Sequence, residues 1–227
     1  MRAVLVTGAA RGLGAAVAVR LREDGYAVVA TDVQEGPGLH ALDVRRTADW
    51  ASAAEVFTAA GEPWALVNCA ARTVVRDLFE IDPAEWDDVL AVNLRGPLLG
   101  IQAIAPFFRE RGRGRIVNVA SDSAFRGVGG AGAHYASSKA GLITLTRRAA
   151  AALAGSGVTA NAIAPGTLDG ETVRELAGDR LGELAADVPL GRLGGLGEVA
   201  GVVSWLLSDD ASYVTGATIV VDGGAGL

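Results

Sequence analysis

A glycine-rich turn near the start of the chain has the residue types and spacing of an anion-binding site. The run Thr7–Gly14 reads Thr-Gly-Ala-Ala-Arg-Gly-Leu-Gly and lies between a strand-like run, Ala3–Val6, and a helix-forming run, Ala15–Leu21. A strand, a glycine-rich turn and a helix in this order let a pyrophosphate approach the bare backbone of the turn. The unpaired N–H groups and the positive end of the helix dipole can then bind its charge. Asp32 follows the next apolar run, where a carboxylate accepts hydrogen bonds from ribose hydroxyls. The turn therefore predicts a dinucleotide site.

A tyrosine and a lysine form a second group of residues that could do chemistry. Tyr135 and Lys139 are four residues apart, which places them on one face of a predicted helix. Alone, this spacing more often reflects a solvated lysine beside a half-buried tyrosine. Here it accompanies Asn93 in a predicted helix, Ser121 at the end of a predicted strand, and the glycine-rich turn. That combination favours a catalytic interpretation.

The elements that must position these residues alternate along the chain. Strand-like runs lie near Arg2–Val6, Tyr26–Thr31, Leu39–Leu42, Trp64–Asn68, Gly114–Ala120, Val158–Ile163 and Thr218–Val221. Helical patterns lie near Gly12–Asp24, Ala48–Ala60, Pro83–Arg109, Tyr135–Ala154 and Glu198–Leu207, with Trp86 and Trp205 as expected core residues. Uniformly apolar strands separated by helices indicate a parallel sheet covered on both faces. We expect one α/β domain over residues 1–227, with a Rossmann-like doubly wound sheet of about seven strands.

Two segments depart from this alternation. Only Val33–Gly38 separates the second strand from the third, which is too short for a helical crossover, so we expect one outer helix to be missing. The segment Thr167–Leu196 is polar, dotted with glycines and without strong periodicity. Because it follows a strand end, it is predicted to be a mobile lid over a site. We call Thr167–Leu196 the lid.

Composition excludes several classes of protein. Half of the 227 residues are hydrophobic and 20% are charged, which disfavours disorder. A net charge of -6 and a pI near 5.0 argue against nucleic acid or an anionic membrane as the main partner. The single cysteine, Cys69, fits a reducing compartment, and neither a membrane-length apolar run nor a leader pattern is evident. We expect a cytoplasmic protein without a metal cluster.

These features together resemble the short-chain dehydrogenase/reductase (SDR) family from Val4 to Gly224. The matching motifs follow the family's order: Thr7–Gly14, Asp43-Val44, Asn68–Ala71, Val92–Leu94, Ile116–Ser121, Tyr135–Lys139, Asn161–Gly166 and Val221–Gly224. The resemblance implies hydride transfer between a nicotinamide cofactor and the carbon of a ketone or secondary alcohol. It also implies a set of cofactor-binding residues: Gly8, Arg11, Gly12, Leu13, Gly14, Asp32, Asp43, Val44, Asn68, Ala70, Ala71, Tyr135, Lys139, Pro165, Gly166 and Leu168.

The resemblance assigns the catalytic roles to Asn93, Ser121, Tyr135 and Lys139. Tyr135 exchanges the proton of the substrate hydroxyl, and because a free tyrosine has a pKa of ~10, we expect Lys139 and the oxidised nicotinamide to lower it. Ser121 holds the substrate oxygen, with Ser123 as a competing candidate. Lys139 also binds the nicotinamide ribose, and Asn93 orders a water that relays protons.

The expected cofactor is NAD, with NADP less favoured. Asp32 would repel a 2′-phosphate, whereas Arg11 could pair with one, and the clash of two anions outweighs one exposed arginine. Three positions depart from the family's pattern. Cys69 and Ala71 replace an asparagine and a glycine, and Gly170 stands where many members have a threonine, for which Thr167 or Thr172 could substitute.

The sequence leaves three functions open. The first is an alcohol dehydrogenase acting on a small cyclic or polar hydroxy compound, because Ile116–Ser123 and Ala152–Val158 resemble 2,3-dihydro-2,3-dihydroxybenzoate dehydrogenases. The second is a 3-oxoacyl thioester reductase; such enzymes usually use NADPH and hold an acidic carrier with basic residues, for which Arg111, Arg113 and Arg115 are candidates. The third is a dinucleotide-binding sensor or subunit without turnover.

We also expect a homotetramer, because SDR enzymes usually pair their long helices and final strands. The long predicted helix supports this, because it has more apolar surface than one face needs to bury against the sheet. The apolar residues are Leu142, Leu145, Ala149, Ala152 and Leu153.

Overall fold

A seven-stranded parallel sheet organises the chain in the computed structural model, which describes residues 1–126 and 131–227. The strands are β1 (Arg2–Thr7), β2 (Ala27–Asp32), β3 (Leu39–Ala41), β4 (Glu62–Asn68), β5 (Gly114–Val119), β6 (Val158–Pro165) and β7 (Thr218–Val221). Their order in the sheet is β3-β2-β1-β4-β5-β6-β7. The order reverses between β1 and β4, and the carboxyl ends of strands at such a switch point open a crevice where ligands bind.

Helices cover both faces of the sheet, which confirms the predicted doubly wound Rossmann-like fold. They are α1 (Gly12–Glu23), α2 (Thr47–Ala60), α3 (Pro83–Leu90), α4 (Gly96–Arg111), α5 (Ala133–Leu153), α6 (Glu171–Ala177), α7 (Leu181–Ala186) and α8 (Leu196–Leu207). One turn of π-helix, Ala91–Arg95, separates α3 from α4. Successive strand residues point to opposite faces, so Leu5 packs with the cluster under α2, α4 and α5, whereas Val4 and Val6 pack with α1 and α8.

The missing outer helix is confirmed. No helix lies between β2 and β3, and the chain crosses directly through the residues after Asp32. The stretch Pro83–Arg111 is long and apolar enough to span a membrane by composition, with a mean hydropathy of 1.2. Its α4 part buries Ile101, Ile104 and Phe108 in the core, which is the packing of a core helix.

Four predictions about individual elements were wrong. The lid contains two short helices, α6 and α7, where no periodicity was expected. The predicted helix Pro83–Arg109 is divided by the π turn. Trp205 is 40% exposed, and the fully buried tryptophans are Trp50 and Trp64.

The fourth wrong prediction is that the apolar residues of α5 provide spare surface for a partner chain. Leu142, Ala149 and Leu153 are buried within this one chain and leave little spare apolar surface for a partner. A helix that packs on a sheet buries a wider apolar stripe than the a/d seam of a coiled coil, so more of the α5 residues are buried than the sequence pattern predicts.

Candidate active site

The glycine-rich turn lies open at the carboxyl end of β1. Gly8 and Gly12 have φ angles of 68° and 58°, which favour glycine. A Cβ on Gly8 would lie 2.6 Å from Ala70 Cα, and one on Gly14 would lie 2.0 Å from the Gly8 carbonyl oxygen. A Cβ on Gly12 would meet nothing within 4 Å, and α1 begins there without a side-chain cap. Free N–H groups beside open space fit a pyrophosphate.

Thr7 fastens the neighbouring loop to this turn. Its hydroxyl oxygen accepts hydrogen bonds from the backbone N–H groups of Cys69 and Ala70, both at 3.1 Å. Ala70 is thereby held against Gly8, as its predicted place in the cofactor site requires. Thr7 opens the glycine-rich motif, but the spacing of that motif did not predict that its hydroxyl would hold the neighbouring loop.

Asp32 faces the same turn. One carboxylate oxygen accepts from the Ala10 N–H and the other from the Gln34 N–H, each at 3.0 Å. Arg11 reaches the lid, where its guanidinium lies 3.8 Å from the Glu175 carboxylate. The carboxylate therefore orders the turn and keeps lone pairs for ribose hydroxyls.

Tyr135 and Lys139 meet at the start of α5. The Lys139 Nζ lies 5.6 Å from the centroid of the Tyr135 ring and donates to the Val119 carbonyl at 2.7 Å. Burial lowers the pKa of Lys139 to about 8. Burial also raises the pKa of Tyr135, although the hydroxyls of Ser121 and Thr73 act in the opposite direction. The Lys139 ammonium is bonded to a strand carbonyl, and the lowering of the Tyr135 pKa by Lys139 together with the oxidised nicotinamide stays a prediction.

The Ser121 hydroxyl faces the Tyr135 phenol. A hydrogen bond with this hydroxyl acts to lower the pKa of Tyr135, against the larger effect of burial. Ser121 is buried and accepts from the Ser123 N–H at 3.2 Å, so it caps the short turn Asp122–Ala124. The two hydroxyl oxygens are 3.1 Å apart.

Comparisons with known proteins show which family the chain belongs to. A family model described as enoyl-(acyl carrier protein) reductase matches residues 8–226. The 3-oxoacyl-[acyl-carrier-protein] reductase FabG of Escherichia coli K12 is 37% identical over 234 residues, covering 97% of this chain and 95% of the relative. The corresponding reductase of Staphylococcus epidermidis RP62A is 36% identical and covers 98% of each chain. Nodulation protein G of Azospirillum brasilense is also 36% identical, covering 97% of this chain and 96% of that protein.

The chain belongs to the short-chain dehydrogenase/reductase family.

It is an NAD(P)-dependent SDR oxidoreductase acting on CH–OH groups.

Two asparagines of the SDR motifs face the protein itself. The Asn68 side-chain amide donates to the side-chain oxygen Oδ1 of Asn118 at 2.8 Å and so joins β4 to β5. The Asn93 amide, in the buried π turn, accepts from the Arg72 N–H at 2.8 Å and donates to the Arg72 carbonyl and the Ser138 hydroxyl. Both Asn93 amide hydrogens are thus engaged, which makes the side chain a clamp between a loop and α5.

The adenine side of the predicted SDR cofactor site lies after β3. The Asp43 carboxylate is paired with Arg45 at 2.7 Å, and the hydrogen bonds from Arg45 lower the pKa of Asp43. The Val44 carbonyl accepts from the Trp50 indole at 3.0 Å, and a Cβ on Gly96 would lie 2.9 Å from the Val44 side chain. Val44 is therefore held from both sides.

The remaining predicted residues mark the base of the lid. Pro165 ends β6, and the Gly166 N–H donates to the Val221 carbonyl at 3.0 Å. Leu168 forms a bridge with Gly194 across the base. The exposed Ala71 lies in the loop after β4, and Leu13 lies in the first turn of α1. The side chain of Thr172, one candidate for the missing threonine contact, lies outside the part that the structure describes.

Proposed function

We propose that the chain reduces the ketone of a 3-oxoacyl thioester to a secondary alcohol. The observation that carries the proposal is the similarity, over nearly the full length, to reductases named for 3-oxoacyl-[acyl-carrier-protein]. The small cyclic hydroxy compound inferred from local likeness finds no support in these relatives. It becomes the competing arm of the test.

The residues of the chain fit the nicotinamide dinucleotide that SDR enzymes use. The glycine-rich turn would hold the pyrophosphate, Asp32 the adenosine ribose and Lys139 the nicotinamide ribose. When bound in reduced form, the cofactor supplies a hydride to the carbonyl carbon. Asp32 favours NAD over NADP, because its carboxylate would repel the 2′-phosphate of NADP. Arg11, which could pair with that phosphate, lies beside Glu175 instead.

The protonation of Tyr135 supports the direction of reduction. With its pKa raised by burial, the phenol is protonated at neutral pH and can donate a proton to the carbonyl oxygen as the carbon accepts hydride. The Ser121 hydroxyl would donate a hydrogen bond to the same oxygen. Asn93 would act by holding Ser138, whose hydroxyl bonds the Tyr135 carbonyl at 2.6 Å.

Two arginines suggested for carrier binding are otherwise engaged. Arg115 is 5% exposed and lies 4.8 Å from the Trp64 ring centroid, and Arg113 pairs with Glu62. Both lie at the start of β5, at the opposite end of the sheet from Ser121. The proposal therefore specifies the 3-oxoacyl thioester, and the test includes both coenzyme A and carrier-protein forms.

Steady-state turnover on a substrate panel tests this function. Acetoacetyl-coenzyme A, an acetoacetyl carrier protein and a cyclic dihydrodiol are each assayed by the absorbance of reduced nicotinamide, with NAD(H) and NADP(H) in parallel. We expect at least ~10-fold higher kcat/KM for a thioester than for the diol, a difference of about 1.4 kcal/mol. A preference for the diol would overturn the substrate assignment, and the absence of turnover with any of them would favour the sensor or subunit.

A further inference from the structure

Asp88 bridges two arginines that come from separate loops. Asp88 lies in α3, where one carboxylate oxygen accepts a hydrogen bond from Arg45 at 2.7 Å and the other forms an ion pair with the Arg72 guanidinium at 2.8 Å. Arg45 follows β3 and also pairs with Asp43. Arg72 lies in the irregular loop after β4. One carboxylate thus joins the adenine side of the cofactor site to the loop beside the active site.

The path continues from Arg72 to the catalytic helix through backbone groups. The Arg72 N–H and carbonyl are both bonded to the Asn93 amide, at 2.8 and 3.0 Å. The same amide donates to the Ser138 hydroxyl at 3.1 Å, and that hydroxyl donates to the Tyr135 carbonyl. The steps between Asp43 and Tyr135 are therefore hydrogen bonds of ordinary length, the Asp88–Arg72 ion pair and the covalent bonds of Arg72 itself.

We propose that Asp88 is a positioning residue that transmits occupancy of the adenine pocket to the active-site loop. An adenine amino group that bonds Asp43 restrains the carboxylate, and with it the Arg45 guanidinium. Arg45 in turn fixes Asp88, and Asp88 fixes Arg72. The loop that carries Arg72 has no regular secondary structure, so this ion pair adds a side-chain restraint to the two bonds that the Arg72 backbone makes with Asn93.

The surroundings of Asp88 favour positioning over stabilisation. The side chains of Asp88, Arg45 and Arg72 are 32%, 41% and 49% exposed. Pairs this open to water are screened and contribute little to folding. Asp87, the next residue on the same helix, is exposed and forms no ion pair among the described residues. It provides a control with the same change of charge.

Hydrogen exchange at the Arg72 amide tests the proposal, with 5′-AMP as the probe of the adenine pocket. The full-length protein is compared with Asp88→Asn, Asp88→Glu, Arg45→Met and Asp87→Asn, each with 5′-AMP at a concentration that calorimetry shows to be saturating. The ratio of exchange rates with and without 5′-AMP is the readout. A purely structural loss would raise both rates and leave that ratio unchanged.

We expect 5′-AMP to slow exchange at Arg72 by about 5-fold or more in the native protein and in Asp87→Asn, at the lower end of typical coupling between sites. The ratio should fall below about 2-fold in Asp88→Asn and in Arg45→Met, and Asp88→Glu should recover part of it. A native ratio in Asp88→Asn, or no slowing in the native protein, would overturn the proposal. If Asp88→Asn does not fold, Arg45→Met breaks the same path and decides the result. Since no thioester is involved, the outcome is independent of the proposed substrate.

Discussion

Lys139 places a cation where water is excluded. Lys139 is 2% exposed, and among residues 1–126 and 131–227 its ammonium has one hydrogen bond, to the Val119 carbonyl. A pKa of about 8 in place of 10.5 means that burial of the charge costs about 3 kcal/mol at pH 7. Residues retained at such a cost are typical of functional sites.

Replacing Lys139 should therefore stabilise the protein while removing activity. In Lys139→Met, we expect the free energy of unfolding at pH 7 to rise by about 1–2 kcal/mol, less than the full charge cost because one hydrogen bond is lost. The folded-state pKa is depressed, so the native protein gains stability as pH rises from about 8 to 10.5, and the difference should shrink there. Urea unfolding at several pH values measures it. A variant that is less stable at pH 7 would contradict the argument.

Tyr135→Phe tests the proton donor separately. The substitution removes only the hydroxyl, so cofactor affinity should remain nearly native while turnover falls by roughly 10²–10⁴. Calorimetry gives the affinity, and single-turnover absorbance gives the rate. Tyr213→Phe serves as the control, because it makes the same change at a fully exposed tyrosine. Near-native turnover in Tyr135→Phe would refute the assignment.

Asp32 determines the expected choice of cofactor. We predict at least ~10-fold higher kcat/KM with NAD(H) than with NADP(H), with Asp32→Ala narrowing the ratio and Asp32→Arg inverting it. Because Asp32 also accepts from the Ala10 N–H, Asp32→Ala should weaken binding of both cofactors by loosening the turn. Equal use of the two cofactors by the native protein would sink this prediction.

At the scale of elements, the lid is held firmly at its base and weakly beyond it. Leu168 and Gly194 bridge its two ends, and Val188 is the one apolar side chain described as buried within it. The ion pair Arg174–Asp169 is largely exposed, with side chains 62% and 47% accessible. Among the lid side chains that the structure describes, little buried apolar area opposes separation of α6 and α7 from the sheet.

We therefore predict that the lid orders only when cofactor and substrate are both bound. Hydrogen exchange protection in residues 167–187 should rise on addition of both, whereas β5 should be protected throughout. The strand serves as an internal control because all six of its residues are buried. Equal protection of the lid in the free enzyme would mean that the pocket is formed in advance.

At the scale of the whole molecule, the β7 edge of the sheet is exposed to solvent. β7 is an edge strand with Val220 47% exposed, and Trp205 on α8 is 40% exposed. Unpaired edge strands are usually covered in native assemblies. Of the five apolar α5 residues expected to contact a partner chain, Leu142, Ala149 and Leu153 are buried within this chain, so they do not support association. A cytoplasmic location and a single domain over residues 1–227 stay predictions.

The homotetramer is expected from family resemblance and from this exposed edge. Light scattering at micromolar concentration should report four chains. Val220→Lys should reduce the assembly state, because a cation on a paired edge strand opposes association. Thr144→Lys, on an exposed position of α5, tests the helix face in the same way. A monomeric native protein would contradict the prediction.

Much of the fold and of the cofactor site could be predicted from the sequence, because the signals are local. Apolar runs, the glycine spacing in Thr7–Gly14 and the short link after Asp32 depend on near neighbours in the chain, so they identified the strands, the turn and the missing helix. The order of the motifs identified the family. The short lid helices were missed because segments of seven and six residues are too short to show a clear helical periodicity.

Only the tertiary structure decided how the site residues are used. Asn68 turns to Asn118, fifty residues away, and Asn93 is bonded to Arg72 and Ser138. The direction of the Tyr135 pKa follows from burial, and the bridge at Asp88 follows from loops separated in the chain. Spacing along the chain indicates which residues can react. Their protonation and contacts depend on distances through space, which are set when the strands align and the helices pack on them.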